Sequence, residues 1–137
     1  MVSACACASG LVLGQEVTEE KSNEITAIPK LLELLELRGC IVTIDAMGCQ
    51  RDIVEQIIDQ SGYYVLGLKG NQGSLHEATE DFFKVANDAN FKGVKYGYHE
   101  ETDKNHGRIE VRRYWITEGL STLPKTELWK SLSSIGR

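Results

Sequence analysis

The feature that most constrains this chain is a pair of short apolar runs, "CIVTI" at Cys40–Ile44 and "YYVLGL" at Tyr63–Leu68. Runs without polar interruption read as strands covered on both faces, as central strands of α/β sheets are. Between them "QRDIVEQIIDQSG" repeats apolar residues at helical spacing, with Ile53, Ile57 and Ile58 inward and Gly62 near the stop. Each run ends on an ionisable residue, the first on Asp45 and the second on Lys69. Ligands of open α/β sheets gather outside the carboxyl ends of the strands, so a site is expected there. An aspartate after a strand is equally a turn former or helix cap, and the pattern alone leaves both open.

The flanking segments extend this frame. "VSACACAS" and "LVLGQEVTE" are two β-prone runs around Ser9-Gly10, which reads as a hairpin. "KSNEITAIPK" starts a helix with Ser22, Asn23 or Thr26 as cap, and Pro29 fits only near its first turn. Its body "LLELLEL" sets Ile28, Leu31, Leu34 and Leu35 on one face with Glu33 and Glu36 opposite, and Arg38-Gly39 closes it. A third helix follows Lys69, capped by Asn71 or Ser74, with Leu75, Ala78, Phe82 and Val85 as its apolar stripe. After Asn90 the period changes to two: "VKYGYHEETDKNHGRIEVRRYWITE" is a long hairpin turning at Lys104–Gly107, with one exposed face. From Gly119 to Arg137 no pattern emerges, so loop or a short helix is expected. An antiparallel pair feeding parallel βα units predicts a mixed sheet with helices on its faces.

Composition narrows the function classes. The 137 residues make one ordinary domain, and 42% hydrophobic with 26% charged residues is usual for a soluble protein. A net charge of −5 argues against a free-standing nucleic-acid binder but not against a local basic strip. Apolar runs are too short to span a bilayer, and "MVSACACASG" lacks the basic region of a signal peptide, so a cytoplasmic location is expected. Cys5, Cys7, Cys40 and Cys49 lack the spacing of a metal site and read as reduced thiols.

"EKSNEITAIPKLLELLELRGCIVTIDAMGCQ", then "YYVLGLKGNQGSLHE", then "HGRIEVRRYW" closely resemble the H-repeat-associated group of bacterial insertion-sequence DDE transposases. The likeness runs from about Val2 to the "ELWKSL" near the end. It implies an incomplete ribonuclease-H-like mixed sheet over residues 1–92, followed by the start of a β-rich insertion and tail over 93–137. In that family three acidic residues hold two divalent cations, Mg2+ or Mn2+, for cleavage and strand transfer on DNA. By resemblance Asp45 is the second acid and a metal ligand, since a hard cation needs carboxylates and a strand end fixes one rigidly. Lys69, Asn71 and Gln72 lie beside the site and contact DNA phosphate, where the plain alternative is a strand end plus a helix cap. Glu110 is not the third acid: the family's glutamate belongs to an H-W-x-I-E-N-type helix, and the first aspartate to an I-D-G-K-type strand, neither of which is found here.

Arg108, Glu110 and Arg112 share one face of the last strand, with Ile109, Val111 and Arg113 on the other. With Lys104 and His106 they form a phosphate-contacting strip, or else a solvated face with ion pairs to Glu100, Glu101 or Asp103. One acid of three predicts a chain that folds without cutting or joining DNA. An uncovered sheet edge at Val2–Cys7 or on a neighbour predicts a homodimer or a strand-pairing partner. Two further readings stand beside the transposase fragment. A non-catalytic remnant could act as a folded, partner-binding module. A receiver-like domain, with Asp45 phosphorylated and Lys69 its partner, fits poorly, because receivers open on a strand–helix–strand order and this chain opens on a hairpin.

Overall fold

A computed structural model describes residues 1–17, 24–105 and 108–137. They divide into two compact units, residues 1–72 with 128–131, and 73–127 with 132–137. The cap candidates Ser22 and Asn23 lie outside the described residues.

The first unit opens with strands β1 (Val2–Ala6) and β2 (Leu11–Glu16), paired antiparallel. Gly10 turns between them at φ +66°, a conformation that glycine adopts without steric cost. The register slips between Ala4 and Cys5, leaving Leu13 as the extra residue of a bulge. Helix α1 (Glu24–Glu33) encloses Thr26, which is therefore not its cap, and carries Pro29 in its second turn. The proline carbonyl accepts a hydrogen bond from Gln56 Nε2 at 2.8 Å. The helix ends five residues before Arg38, where the leucine repeat alone would have continued it. Leu34 and Leu35 donate to the carbonyls three residues back, tightening the last turn. That turn carries Leu37 into the core and leaves Leu34 exposed, so Leu32 takes the inward place expected of Leu34.

Strands β3 (Ile41–Ile44) and β4 (Tyr63–Leu66) pair in parallel, joined through α2 (Arg51–Asp59). Ile28, Leu32, Leu37, Ile53 and Ile57 make the core, with Val2, Leu35, Val42, Ile44 and Tyr64 packed against it. Val54 is also fully buried, which the sequence reading omitted.

Two expectations need correction here. Among the described residues the β1–β2 and β3–β4 pairs are separate two-stranded sheets not joined by strand pairing, where one mixed sheet was expected. Nor are β3 and β4 covered on both faces: Ile41, Tyr63 and Val65 are 66%, 63% and 60% exposed. Apolar runs report the chemistry of a strand's neighbours in the finished sheet, and these described residues supply the cover of one face only.

The second unit holds α3 (Gly73–Asp88), the long pair β5 (Tyr96–Asn105) and β6 (Arg108–Thr117), and the short β7 (Ile135–Gly136) on the end of β6. The buried line of α3 is Leu75, Thr79, Phe83 and Ala86, one step round from the stripe read in the sequence, and Val85 is exposed. Phe82 meets Phe83 edge-on at 5.3 Å, so two adjacent apolar lines coexist on this helix. Phe91, Tyr96, Tyr98 and Trp115 gather in one aromatic group at centroid distances of 4.4 to 6.1 Å. The tail, expected to be loop or short helix, adds β7 as well as 3-10 turns at Leu120–Thr122 and Thr126–Leu128.

Candidate functional site

The carboxyl end of β3 is built by close backbone approach. Asp45 leaves the strand in extended conformation, φ −70° and ψ 180°, and caps the 3-10 turn Ala46–Gly48, its Oδ1 accepting from Met47 N at 3.1 Å. The aspartate is thus a cap, and its side chain is also exposed at the mouth of the parallel pair. Capping and serving a site are compatible here, since a carboxylate has more acceptor positions than one amide uses.

Two glycines give the turn its shape. A β-carbon on Gly48 would lie 2.3 Å from Ile44 Cγ2 and 3.1 Å from Ile28 Cδ1, so only glycine lets the turn seat against the core. A β-carbon on Gly67, just past β4, would lie 3.0 Å from Ala46 N and 3.3 Å from the Asp45 carbonyl carbon. Gly67 N also donates to Ile44 O at 3.0 Å, carrying the parallel ladder one step further. Sequence reasoning passed over both glycines. Their signal was a glycine four residues after the first apolar run and another inside the second.

The segment after β4 returns to the same turn. Asn71 Nδ2 donates to Ala46 O at 2.7 Å and Gln72 Nε2 to Cys49 O at 2.8 Å. Asn71 therefore does not cap α3, which starts at Gly73 behind a short 3-10 turn at Gly70–Gln72. Lys69, immediately before that 3-10 turn, is exposed. Cys49 is buried under the turn, and burial pushes its thiol up from the ordinary value. Tyr64 is raised as well, first by burial and then by Cys49, and its hydroxyl donates to Lys130 O at 3.0 Å.

The fold thus brings Asp45, Asn71 and Gln72 to one loop cluster. The other predicted residues sit on the hairpin of the second unit. Arg112 donates to Glu110 Oε2 at 2.8 Å, and this contact raises its guanidinium. Arg113 crosses to Glu100 at 2.9 Å, the kind of cross-strand pair that a solvated face makes. His106 lies outside the described residues. Arg108 opens β6 opposite Asn105.

Three or more His, Cys, Asp or Glu side chains placed to share a metal ion do not occur among the described residues. Asp45 by itself does not fit a two-metal centre, which needs converging carboxylates. No helix among the described residues is long and apolar enough to cross a membrane.

A strand-end aspartate beside a parallel pair in an α/β unit defines the class to which comparison with known proteins gives a family. The Transposase DDE domain matches residues 1–129, and the chain belongs to that family. It is 46% identical over 98% of its length to "Putative transposase YncI" of Escherichia coli O157:H7, covering 34% of that protein. It is 50% identical over 85% of its length to the protein of the same name in Escherichia coli strain K12, covering 46% of it. "H repeat-associated putative transposase YhhI" of strain K12 is 43% identical over 98% of the chain, which covers 35% of that relative. The chain thus spans between about a third and a half of the length of these relatives. No solved structure matches.

Proposed function

We propose that these residues are the middle of an insertion-sequence transposase core of ribonuclease-H-like type, with Asp45 as one of three acids that hold divalent cations for DNA cleavage and strand transfer. The observation that carries this reading is the strand-end setting of Asp45, exposed and held by its own turn, in a chain of the DDE family. In this reading the core runs over residues 1–92 and the β-rich insertion begins at 93. Lys69 of the first unit and, separately, His106, Arg108 and Arg112 of the hairpin segment bind DNA phosphate in this reading, and the protein works in the cytoplasm, where the chromosome is. Asn71 and Gln72, close to Lys69 in sequence, are taken up below.

The chain alone folds without cutting or joining DNA, because Asp45 has no converging carboxylates among the described residues. Supercoiled plasmid incubated with the chain and Mg2+ or Mn2+ stays supercoiled in this reading. Metal-dependent nicking that disappears in Asp45→Asn would sink it.

A second reading, a non-catalytic partner-binding module, is favoured by one observation. Ile41, Tyr63 and Val65 form an exposed apolar face on a two-stranded sheet whose outer edges are unpaired among the described residues. Light scattering on the purified chain tests it: self-association reduced by Val65→Thr supports pairing through this sheet, and a monomer at all concentrations removes the homodimer.

A further inference from the structure

We propose that Asn71 and Gln72 act inward, as a two-amide clamp that fixes the direction in which Asp45 leaves the sheet. The proposal deepens the transposase reading, since it concerns how that acid is positioned, and it gives "LKGNQ" a task other than touching DNA.

The turn after Asp45 is held locally by its cap, Met47 N donating to Asp45 Oδ1 at 3.1 Å, and by Gln50 N donating to Gly48 O at 2.9 Å. Its 3-10 bonds run from Gly48 N to Asp45 O at 3.1 Å and from Cys49 N to Ala46 O at 3.3 Å, the second beyond the ordinary range. A three-residue 3-10 turn has poor hydrogen-bond geometry and frays readily. Two shorter bonds reach it from 23 and 25 residues further along the chain. Asn71 Nδ2 reaches Ala46 O at 2.7 Å, and Gln72 Nε2 reaches Cys49 O at 2.8 Å, one at each end of the turn.

Gly67 completes the arrangement. Its bare α-carbon lets the post-β4 backbone lie against Asp45 and Ala46, which brings the two amides within reach. Gln72 N donates in turn to Lys69 O at 3.0 Å, so the segment bearing the amides is itself a closed turn. An amide has the right chemistry for this task, being a neutral donor that meets a carbonyl without burying a charge. The two polar side chains Asn71 and Gln72 therefore work on this protein's own backbone, and Lys69 is exposed to solvent. Asn71 and Gln72 are positioning residues.

The test is amide hydrogen exchange on the whole chain, free of metal and DNA. In Asn71→Ala/Gln72→Ala the amides of Met47, Gly48, Cys49 and Gln50 exchange about tenfold faster, as expected for losing a hydrogen bond's net worth. Those of Ile53, Val54 and Ile57 hold their rates. The Asp45 carboxyl carbon, expected as a single sharp resonance in the parent, broadens or splits in the double variant. Gln72→Lys keeps a donor and restores part of the protection, whereas the isosteric Gln72→Glu does not.

Unchanged exchange at Met47–Gln50 overturns the clamp, and so does an alanine variant that loses affinity for a short mixed-sequence duplex with its loop unaltered. Should the double variant fail to fold, the parent chain decides. Side-chain amide protons of Asn71 and Gln72 that exchange as fast as those of free amides overturn the proposal, and slowed ones support it. Because exchange is read without metal, a failed clamp leaves Asp45 as a catalytic acid standing, and the plasmid assay above tests that acid separately.

Discussion

At the Asp45 turn, side-chain amides bind backbone carbonyls 23 and 25 residues away in sequence. On the β5–β6 hairpin the polar side chains bind a neighbour two residues along, as Arg112 does Glu110, or directly across, as Arg113 does Glu100. The first arrangement exists only once two strands and a helix have assembled. The second follows from the pairing register alone. A chain can therefore lose single hairpin contacts with little consequence, while the turn depends on several distant residues together.

Four measurements sharpen or break this contrast. The largest effect belongs to the core beneath the turn. Ile57 is fully buried, and Ile57→Ala lowers stability by about 2–5 kcal/mol in urea unfolding, against under about 0.5 kcal/mol for Ile109→Ala on the exposed hairpin. Equal losses would remove the distinction between the two regions. Next is Gly48→Ala, whose added carbon must displace Ile44. A cost of about 1–3 kcal/mol is expected, and an unaffected melting temperature would mean that the turn does not seat on the core.

Removing the cap is milder. Asp45→Ala loses about 1 kcal/mol, whereas Asp45→Asn retains the acceptor and stays close to the parent. The smallest effect is the titration of Glu100. Its carboxyl is held below the ordinary value by the hydrogen bond from Tyr98, then by that from Arg113. A depressed carboxylate favours the folded hairpin above its unfolded pKa and stops doing so as pH falls through the lower, folded value. Carbon-detected titration should find Glu100 protonating below the usual glutamate range in the parent and within it in Tyr98→Phe/Arg113→Gln. An identical midpoint in both chains would break the network.

Much of this fold was legible because its signals are local. Unbroken apolar runs gave β3 and β4, glycine gave the β1–β2 turn, and period two gave the hairpin, although Lys104 and Asn105, expected in its turn, are still paired with Ile109 and Arg108. What failed to show depends on distant partners. "LLELLEL" supports a longer helix than α1, and only the burial of Leu37 and the bond from Gly39 N to Ser61 O explain why the chain turns early. Two apolar lines on α3 are equally periodic, and tertiary contact selects the one through Phe83. At the site, Asp45 stood out in the sequence, but the inward reach of Asn71 and Gln72 did not. Nothing local distinguishes an amide that caps the next helix from one that crosses to an earlier loop.

The bulge at Leu13 bears on how this hairpin tolerates changes in length. Ala4 faces Gly14 and Cys5 faces Val12, so Leu13 is the one residue of β2 without an opposite number. Loss of the Leu13 codon would leave a regular ladder with every remaining pair intact. Loss of the Gln15 codon, two triplets along, would shift Glu16 to the opposite face from its present one and set the strand's inner and outer residues at odds. In one short strand, a deletion can thus be silent or disruptive according to which side chain it takes.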